Sequence, residues 1–249
     1  MGRKILKIAS LVLFVMAAVF TLAFTSHEAG EATCEKIEVI YDGHQSVSLA
    51  KEEILKLVNA SDDSLLHKNL RNINTEKIEL EVEKNKTIKN AEVFKNVIGS
   101  GTGFAGVLSV KVTFRKPVLR IMSGNDEYFL DRDKVQIPVS TKYTANVLVA
   151  TGKIEPEFAS NELLDFVEFL ENDEFLKAQI KQIDVRAKHE LVLTPLVGDH
   201  LIEMGTLENY PDKMNRLKVF YKKVMAQNNW DKYKKISVKY NNQVIGTKR

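Results

Sequence analysis

The 249-residue sequence has one cysteine, one tryptophan and five prolines, and it carries no proline-, glutamine- or serine-rich tract. A lone Cys34 excludes an intrachain disulfide and any zinc site built from several cysteines. The residues before it, Glu31, Ala32 and Thr33, are not the Leu-Ala-Gly type that lipoprotein processing requires. Cys34 therefore reads as a membrane-proximal thiol outside the folded regions. The net charge of +3 is equally thin, because Arg3, Lys4 and Lys7 supply all of it and the remaining 33 basic residues balance 33 acidic ones. A balanced folded part lacks the basic face that displaces counterions from phosphates, so no nucleic-acid partner is expected. The cluster Lys232 to Lys235 reads as a solvated face.

Catalytic and ligand motifs are also missing. Histidines 27, 44, 67, 189 and 200 show no metal-ligand spacing and read as surface residues. There is no G-x-S-x-G elbow, S-x-x-K triplet or P-loop G-K-[ST]. Asp131 and Asp133 suggest a calcium loop, but Gln136 stands where that loop needs glycine and Lys142 where it needs glutamate. Glycines 101, 103 and 106 match the dinucleotide fingerprint, yet a β-branched, alternating run, Val107 to Val112, follows them. That run cannot open the helix whose amides hold a pyrophosphate, so the glycines read as a hairpin loop needing positive φ. No catalytic residue, cofactor, metal or small-molecule substrate is expected.

What the sequence does have begins at the N-terminus. From Ile8 to Phe24 the only polar side chains are Ser10 and Thr21. With Ile5 and Leu6 the run reaches about 20 residues, enough for a helix to cross the hydrocarbon core. Arg3, Lys4 and Lys7 precede it and Glu28, Glu31 and Glu35 follow, so the positive-inside bias holds the N-terminus in the cytoplasm and exports the rest. A signal peptide has a shorter apolar region with a small-x-small site close behind, and Gly30-Glu31-Ala32 lies too far downstream. The reading is an uncleaved anchor at 8–26 after a cytoplasmic stub at 1–7.

Beyond a linker at 27–35, the alternation of Ile37, Val39 and Tyr41 predicts a strand, and Ser48 caps a predicted helix with Leu49, Ile54, Leu57 and Val58 on one stripe. A second helix is predicted over Thr75 to Lys84, although Glu79 to Val82 also fits a strand. Strands at Ala91 to Val97 and Val107 to Phe114 complete a β-α-α-β-β order, that of a POTRA module, over 36–117. From 118 to 246 the pattern is a strand-rich mixed α/β domain, followed by a tail at 247–249. Its strands are predicted at Val118 to Ser123, Glu127 to Leu130, Tyr143 to Ala150, Gln179 to Ala187, Glu190 to Leu196 and His200 to Met204. Ser160 caps one predicted helix and Pro211 opens another. The last strand is predicted over Lys235 to Ile245, where Ile236, Val238, Tyr240 and Val244 share one parity. The fold class is thus α+β.

Several stretches carry a resemblance. Asn74 to Glu79, Lys89 to Lys95 and Val110 to Val118 are similar to the helix and two strands of the FtsQ/DivIB family. Tyr128-Phe129-Leu130-Asp131 is similar to its "Y-x-L-D" turn, and Tyr233 to Ile236 with Tyr240, Asn242, Gln243, Val244 and Ile245 is similar to its closing "Y-x-x-I-x-x-x-Y-x-N-Q-V-V". The sequence departs from the family at Asn85-Lys86, Lys134 and Gly246, where Asn-Pro, glycine and often cysteine stand. The resemblance implies a non-enzymatic scaffold of the cell-division machinery in the plasma (inner) membrane at the division site. It binds FtsB- and FtsL-like membrane proteins outside the cytoplasm and helps control septal peptidoglycan synthesis. The competing class, a membrane-anchored enzyme acting on cell-wall polymer or protein, needs a convergent polar constellation that the sequence does not display.

The terminal strand suggests where a partner docks. An edge strand exposes unpaired amides and carbonyls, and Ser237 to Ile245 contain no proline and only Lys239 as a charged guard. A partner segment adding as the next strand would meet Tyr240, Asn242, Gln243, Val244 and Ile245, with Tyr240 as its aromatic anchor.

Overall fold

A computed structural model describes residues 11–21, 31–43, 47–100, 103–227 and 229–249. Of the apolar segment, residues 11–21 form a helix (α1). Among the described residues no helix is long and apolar enough to cross a membrane. The rest of the expected 8–26 span and the charges at Arg3, Lys4 and Lys7 lie outside the described residues.

Past this helix the chain divides into two compact units at the Phe114/Arg115 junction, and Val47 and Ser48 belong with the second. In the first unit, β1 (Cys34–Tyr41) runs parallel to β3 (Gly103–Phe114), which pairs antiparallel with β2 (Ile88–Ser100), giving the sheet order β1-β3-β2. Helices α2 (Lys51–Ser61) and α3 (Thr75–Glu83) supply Ile54, Val58, Ile78 and Val82 to one core with Val93, Val110 and Val112. The choice between helix and strand at Glu79 to Val82 falls to helix. Ile78 and Val82, four apart, are buried while Leu80 is exposed, and Asn74 Oδ1 accepts the Lys77 amide at 3.0 Å.

Three expectations in this unit need correction. Helix α2 begins after Ala50, whose amide is held by Glu53 Oε2 at 3.2 Å, so Ser48 is not its cap. Cys34 is not outside the folded regions: it opens β1, is fully buried, and burial pushes its thiol pKa up. Gly106 does not serve a loop. It lies inside β3, where a Cβ would come within 2.6 Å of the Thr33 carbonyl and 2.8 Å of Leu70, so glycine is needed there for close approach of backbone.

The second unit is a nine-stranded mixed sheet in the order β12-β11-β10-β9-β8-β7-β4-β5-β6. Its strands are β4 (Pro117–Ser123), β5 (Asp126–Asp131), β6 (Gln136–Pro138), β7 (Leu148–Gly152), β8 (Ile180–Val185), β9 (Leu191–Pro195), β10 (Leu201–Gly205), β11 (Tyr233–Ser237) and β12 (Ile245–Lys248). The predicted strand at Tyr143 to Ala150 starts only at Leu148, and β6 was not expected. A helical run packs on the sheet as α4 (Pro156–Phe158), a π-turn (Ala159–Leu163) and α5 (Leu164–Glu171). Ser160 lies inside this run and donates to the Pro156 carbonyl at 2.9 Å, so it caps nothing. A short α6 (Glu174–Gln179), capped by Asp173 Oδ1 on the Leu176 amide at 3.0 Å, precedes β8. Helix α7 (Tyr210–Lys223) opens at Pro211 and buries Met214, Leu217 and Tyr221.

The turn after β5 is pinned by Asp131. Its Oδ1 accepts the Val135 amide at 2.8 Å and its Oδ2 pairs with Arg115 at 2.9 Å. Lys134, the residue that departs from the family pattern, adopts φ +64°. A side chain in the left-handed region costs about 1 kcal/mol, which glycine avoids. Lys134→Gly is therefore expected to raise stability by no more than about 0.5 kcal/mol, because the greater freedom of an unfolded glycine offsets much of the relief. Urea titration of the two proteins reads this difference, and a destabilised variant would show that the Lys134 contact with Asn161 matters more than the backbone.

Candidate partner-binding site

The two edges of the nine-stranded sheet differ. Strand β6 is three residues long and contains Pro138, which cannot donate to a further strand. Strand β12 at the opposite edge contains no proline. The expected single strand over Lys235 to Ile245 is instead a hairpin. Strand β11 ends at Ser237, a connection follows, and β12 returns antiparallel with Ser237 opposite Ile245 and Lys235 opposite Thr247. Residues 247–249, expected as a tail, thus extend the edge itself. Arg249 fixes their end: its amide donates to the Lys232 carbonyl at 3.2 Å and its guanidinium to the Asp199 carbonyl at 2.8 Å. Because the Arg249 amide points at β11, the period of two turns the amides of Lys248 and Gly246 outward. Gly246 also makes room for Tyr233, whose ring would lie 2.6 Å from a Cβ there.

Of the five residues expected to meet a partner, only Ile245 is in the edge strand. Tyr240, Asn242, Gln243 and Val244 occupy the β11–β12 connection, where Tyr240 is half exposed, Asn242 adopts φ +58° and Val244 packs on the core. The structure therefore gathers all five at one end of the edge, although not as one ladder. Lys239 does not guard that edge. It pairs with Glu190, which raises its pKa, and its stem lies over Gly205.

Sequence reasoning missed Arg216. From α7 its guanidinium donates to the carbonyls of Gln243 (3.1 Å), Val238 (3.3 Å) and Tyr240, clamping the connection to the helix. Its Nε lies 3.1 Å from Asp212 Oδ2 without hydrogen-bond alignment. Nothing local in the sequence signals this contact, because its partners lie 22, 24 and 27 residues away. Beside it, Val219 stands 51% exposed on α7 between two hollows. One, of about 650 Å³, is walled by Phe175, Tyr221 and Trp230; the other, of about 390 Å³, by Phe220, Gln243 and Val244. Of the basic residues on α7, Lys213 is buried on the Thr206 carbonyl, Lys218 pairs with Asp173 and Arg216 is taken up by the clamp, which leaves Lys222 and Lys223 exposed at the end of the helix.

His200, expected at the surface, is buried, with Nε2 2.6 Å from the Tyr221 hydroxyl and Nδ1 unpartnered. Burial lowers its pKa, Asp199 opposes that, and Arg249 adds to it. The unfolded chain takes up a proton near pH 6.5 while the folded protein resists until lower pH. Between those points the unfolded state binds more protons, so this group's contribution is complete above about pH 6.5 and is lost as pH falls. The melting temperature is expected to drop more between about pH 7.5 and 5.5 in the wild type than in His200→Gln; equal drops would remove His200 from the acid response.

These elements have counterparts in known proteins. A family profile described as FtsQ/DivIB, C-terminal related, matches residues 116–247, more than half the chain and all of the nine-stranded sheet except Lys248. The chain belongs to the FtsQ/DivIB family. A POTRA-like domain profile matches residues 32–100, which hold β1, α2, α3 and β2. No individual curated protein matches the chain significantly. FtsQ/DivIB membership points to a role in cell division, at the division site, and FtsQ/DivIB domains are in general non-enzymatic scaffolds that act through protein–protein contacts.

Proposed function

We propose that this FtsQ/DivIB protein is a bitopic membrane scaffold of the divisome that recruits FtsB- and FtsL-like partners and helps control septal peptidoglycan synthesis. The observation that carries this reading is the asymmetry of the sheet edges: β6 is closed by Pro138, and β12 keeps the outward amides of Gly246 and Lys248. An extended partner segment adds beside β12, where backbone hydrogen bonds supply affinity and Tyr240, Asn242, Gln243, Val244 and Ile245 supply selectivity. Acidic side chains in the partner match Lys222 and Lys223, exposed at the end of α7.

The same reading makes 8–26 the anchor, with Arg3, Lys4 and Lys7 cytoplasmic and the domains at 36–117 and 118–246 outside the cytoplasm. It rests on the apolar run Ile8 to Phe24 and its charge flanks. Depletion of the protein in its host tests the function. Filamentous, undivided cells are expected, together with activity of an extracytoplasmic reporter fused after Arg249. Normal septation, or a reporter active only in the cytoplasm, contradicts the reading.

A further inference from the structure

The first unit has an edge of its own, and half of it is blocked. Strand β2 lies at the rim of the β1-β3-β2 sheet, with α3 alongside. Its outward amides at Ala91 and Val93 donate to Glu83 Oε1 (2.9 Å) and Glu79 Oε1 (2.7 Å), two carboxylates one turn apart on α3. Past Val93 no side chain among the described residues continues this protection. The pairing with β3 runs without a register shift from Asn90 to Ser100, so the period of two turns the amides and carbonyls of Lys95, Val97 and Gly99 outward as well. Every residue from Phe94 to Gly99 is exposed, including Phe94 (46%), Val97 (43%) and Ile98 (52%). Large apolar side chains on both faces of an unpaired edge are what sheet proteins ordinarily avoid.

We infer that this free half of β2 is a self-association surface, and that its occupant is the same segment of a second copy of the chain, paired antiparallel about Val97. The strand is self-complementary in that register. Its three outward positions are symmetric about Val97, so Lys95 faces Gly99 of the second copy, Val97 faces Val97, and every free amide and carbonyl is used. The two Lys95 side chains stand four positions apart, so like charges do not oppose. Each lysine stem instead crosses Gly99, where a Cβ would meet nothing within 4 Å. On the other face Phe94 lies diagonal to Ile98 of the second copy.

Slips of one residue, or of two toward the helix, are worse. A slip of one residue sets outward groups against inward ones. A slip of two toward the helix sets Gly99 against Val93, whose amide Glu79 already holds. The result is one continuous six-stranded sheet across two chains, independent of the edge at β12.

Cysteine crosslinking of the full-length protein in its native membranes tests this. Opposed residues of a hydrogen-bonded pair sit about 5.5 Å apart at Cα, within disulfide reach. Val97→Cys is expected to form disulfide dimers at least about tenfold more efficiently than the surface control Lys56→Cys. Wild type, whose Cys34 is buried, is expected to form none. The double variant Asn96→Cys/Ile98→Cys is expected to crosslink and Asn96→Cys alone to do so poorly. Val97→Pro removes an outward donor that the β2–β3 ladder does not use, so it is expected to abolish the dimer in detergent without lowering the melting temperature. Val97→Cys dimers no stronger than those of Lys56→Cys would overturn the inference. So would crosslinking of Val97→Cys to a different host protein, a dimer that survives Val97→Pro, or Asn96→Cys outperforming Val97→Cys.

Discussion

Gly152→Ala is expected to destabilise the second unit by about 4 kcal/mol, at the upper end of what single substitutions do. Gly152 closes β7 opposite Val185 of β8, well inside the nine-stranded sheet. Its φ of +118° is open to glycine and strained for any other residue. A Cβ there would also lie 2.1 Å from the Val185 carbonyl oxygen and 3.0 Å from its carbon. Those atoms are backbone, so no rotamer change relieves the clash. Relief requires β7 and β8 to separate, which breaks the parallel ladder from Val149–Gln182 onward. A loss of more than roughly 10 °C in melting temperature is expected. Gly99→Ala, at a glycine with open space around it, is the matched control and is expected to change little. A Gly152→Ala protein melting within about 2 °C of wild type would mean that the β7–β8 register is wrong.

Asp131→Ala is expected to cost about 3 kcal/mol, the range for removing one partner of a buried, hydrogen-bonded pair. Asp131 is 3% exposed, and its side chain both closes the turn at Val135 and neutralises Arg115. Without it Arg115 keeps only Asp133, at 3.4 Å on the surface, and Arg115 Nε already lacks a partner. The companion variant Asp131→Asn separates the two roles: it removes the charge but keeps an Oδ1 that can accept the Val135 amide. Its cost is expected to be smaller than that of Asp131→Ala in urea titrations. Equal costs would place the whole effect in the ion pair and none in the turn.

Much of the fold was legible because its elements follow simple periods. The two-residue alternation of β1, β2 and β3 and the helical stripe of α7 are written in the sequence, whereas α3 also read as a strand over Glu79 to Val82 and its Asn74 cap emerges only in the structure. Short pieces were not. Strand β6 is three residues and α6 is six, below the length at which a period shows. The Lys235 to Ile245 run misled for a different reason. Ile236, Val238, Tyr240 and Val244 share a parity, so apolar spacing alone gives one strand, whereas the Asn241-Asn242 pair, with Asn242 left-handed, marks the reversal. Burial of Cys34 and His200 and the Arg216 clamp depend on contacts between residues far apart in sequence. No local pattern encodes such contacts.

The central claim is that β12 is the edge to which a partner strand is added, and Lys248→Pro tests it most directly. The Lys248 amide points away from β11, so proline there deletes a donor that only an added strand would use. The measurement is the affinity of the full-length protein in detergent for an FtsB-like partner ectodomain, alongside its melting temperature. The account predicts that Lys248→Pro lowers affinity at least tenfold, about 1.4 kcal/mol, with melting unchanged, and that Tyr240→Ala lowers it by a comparable factor. Wild-type affinity in a folded Lys248→Pro protein would contradict it.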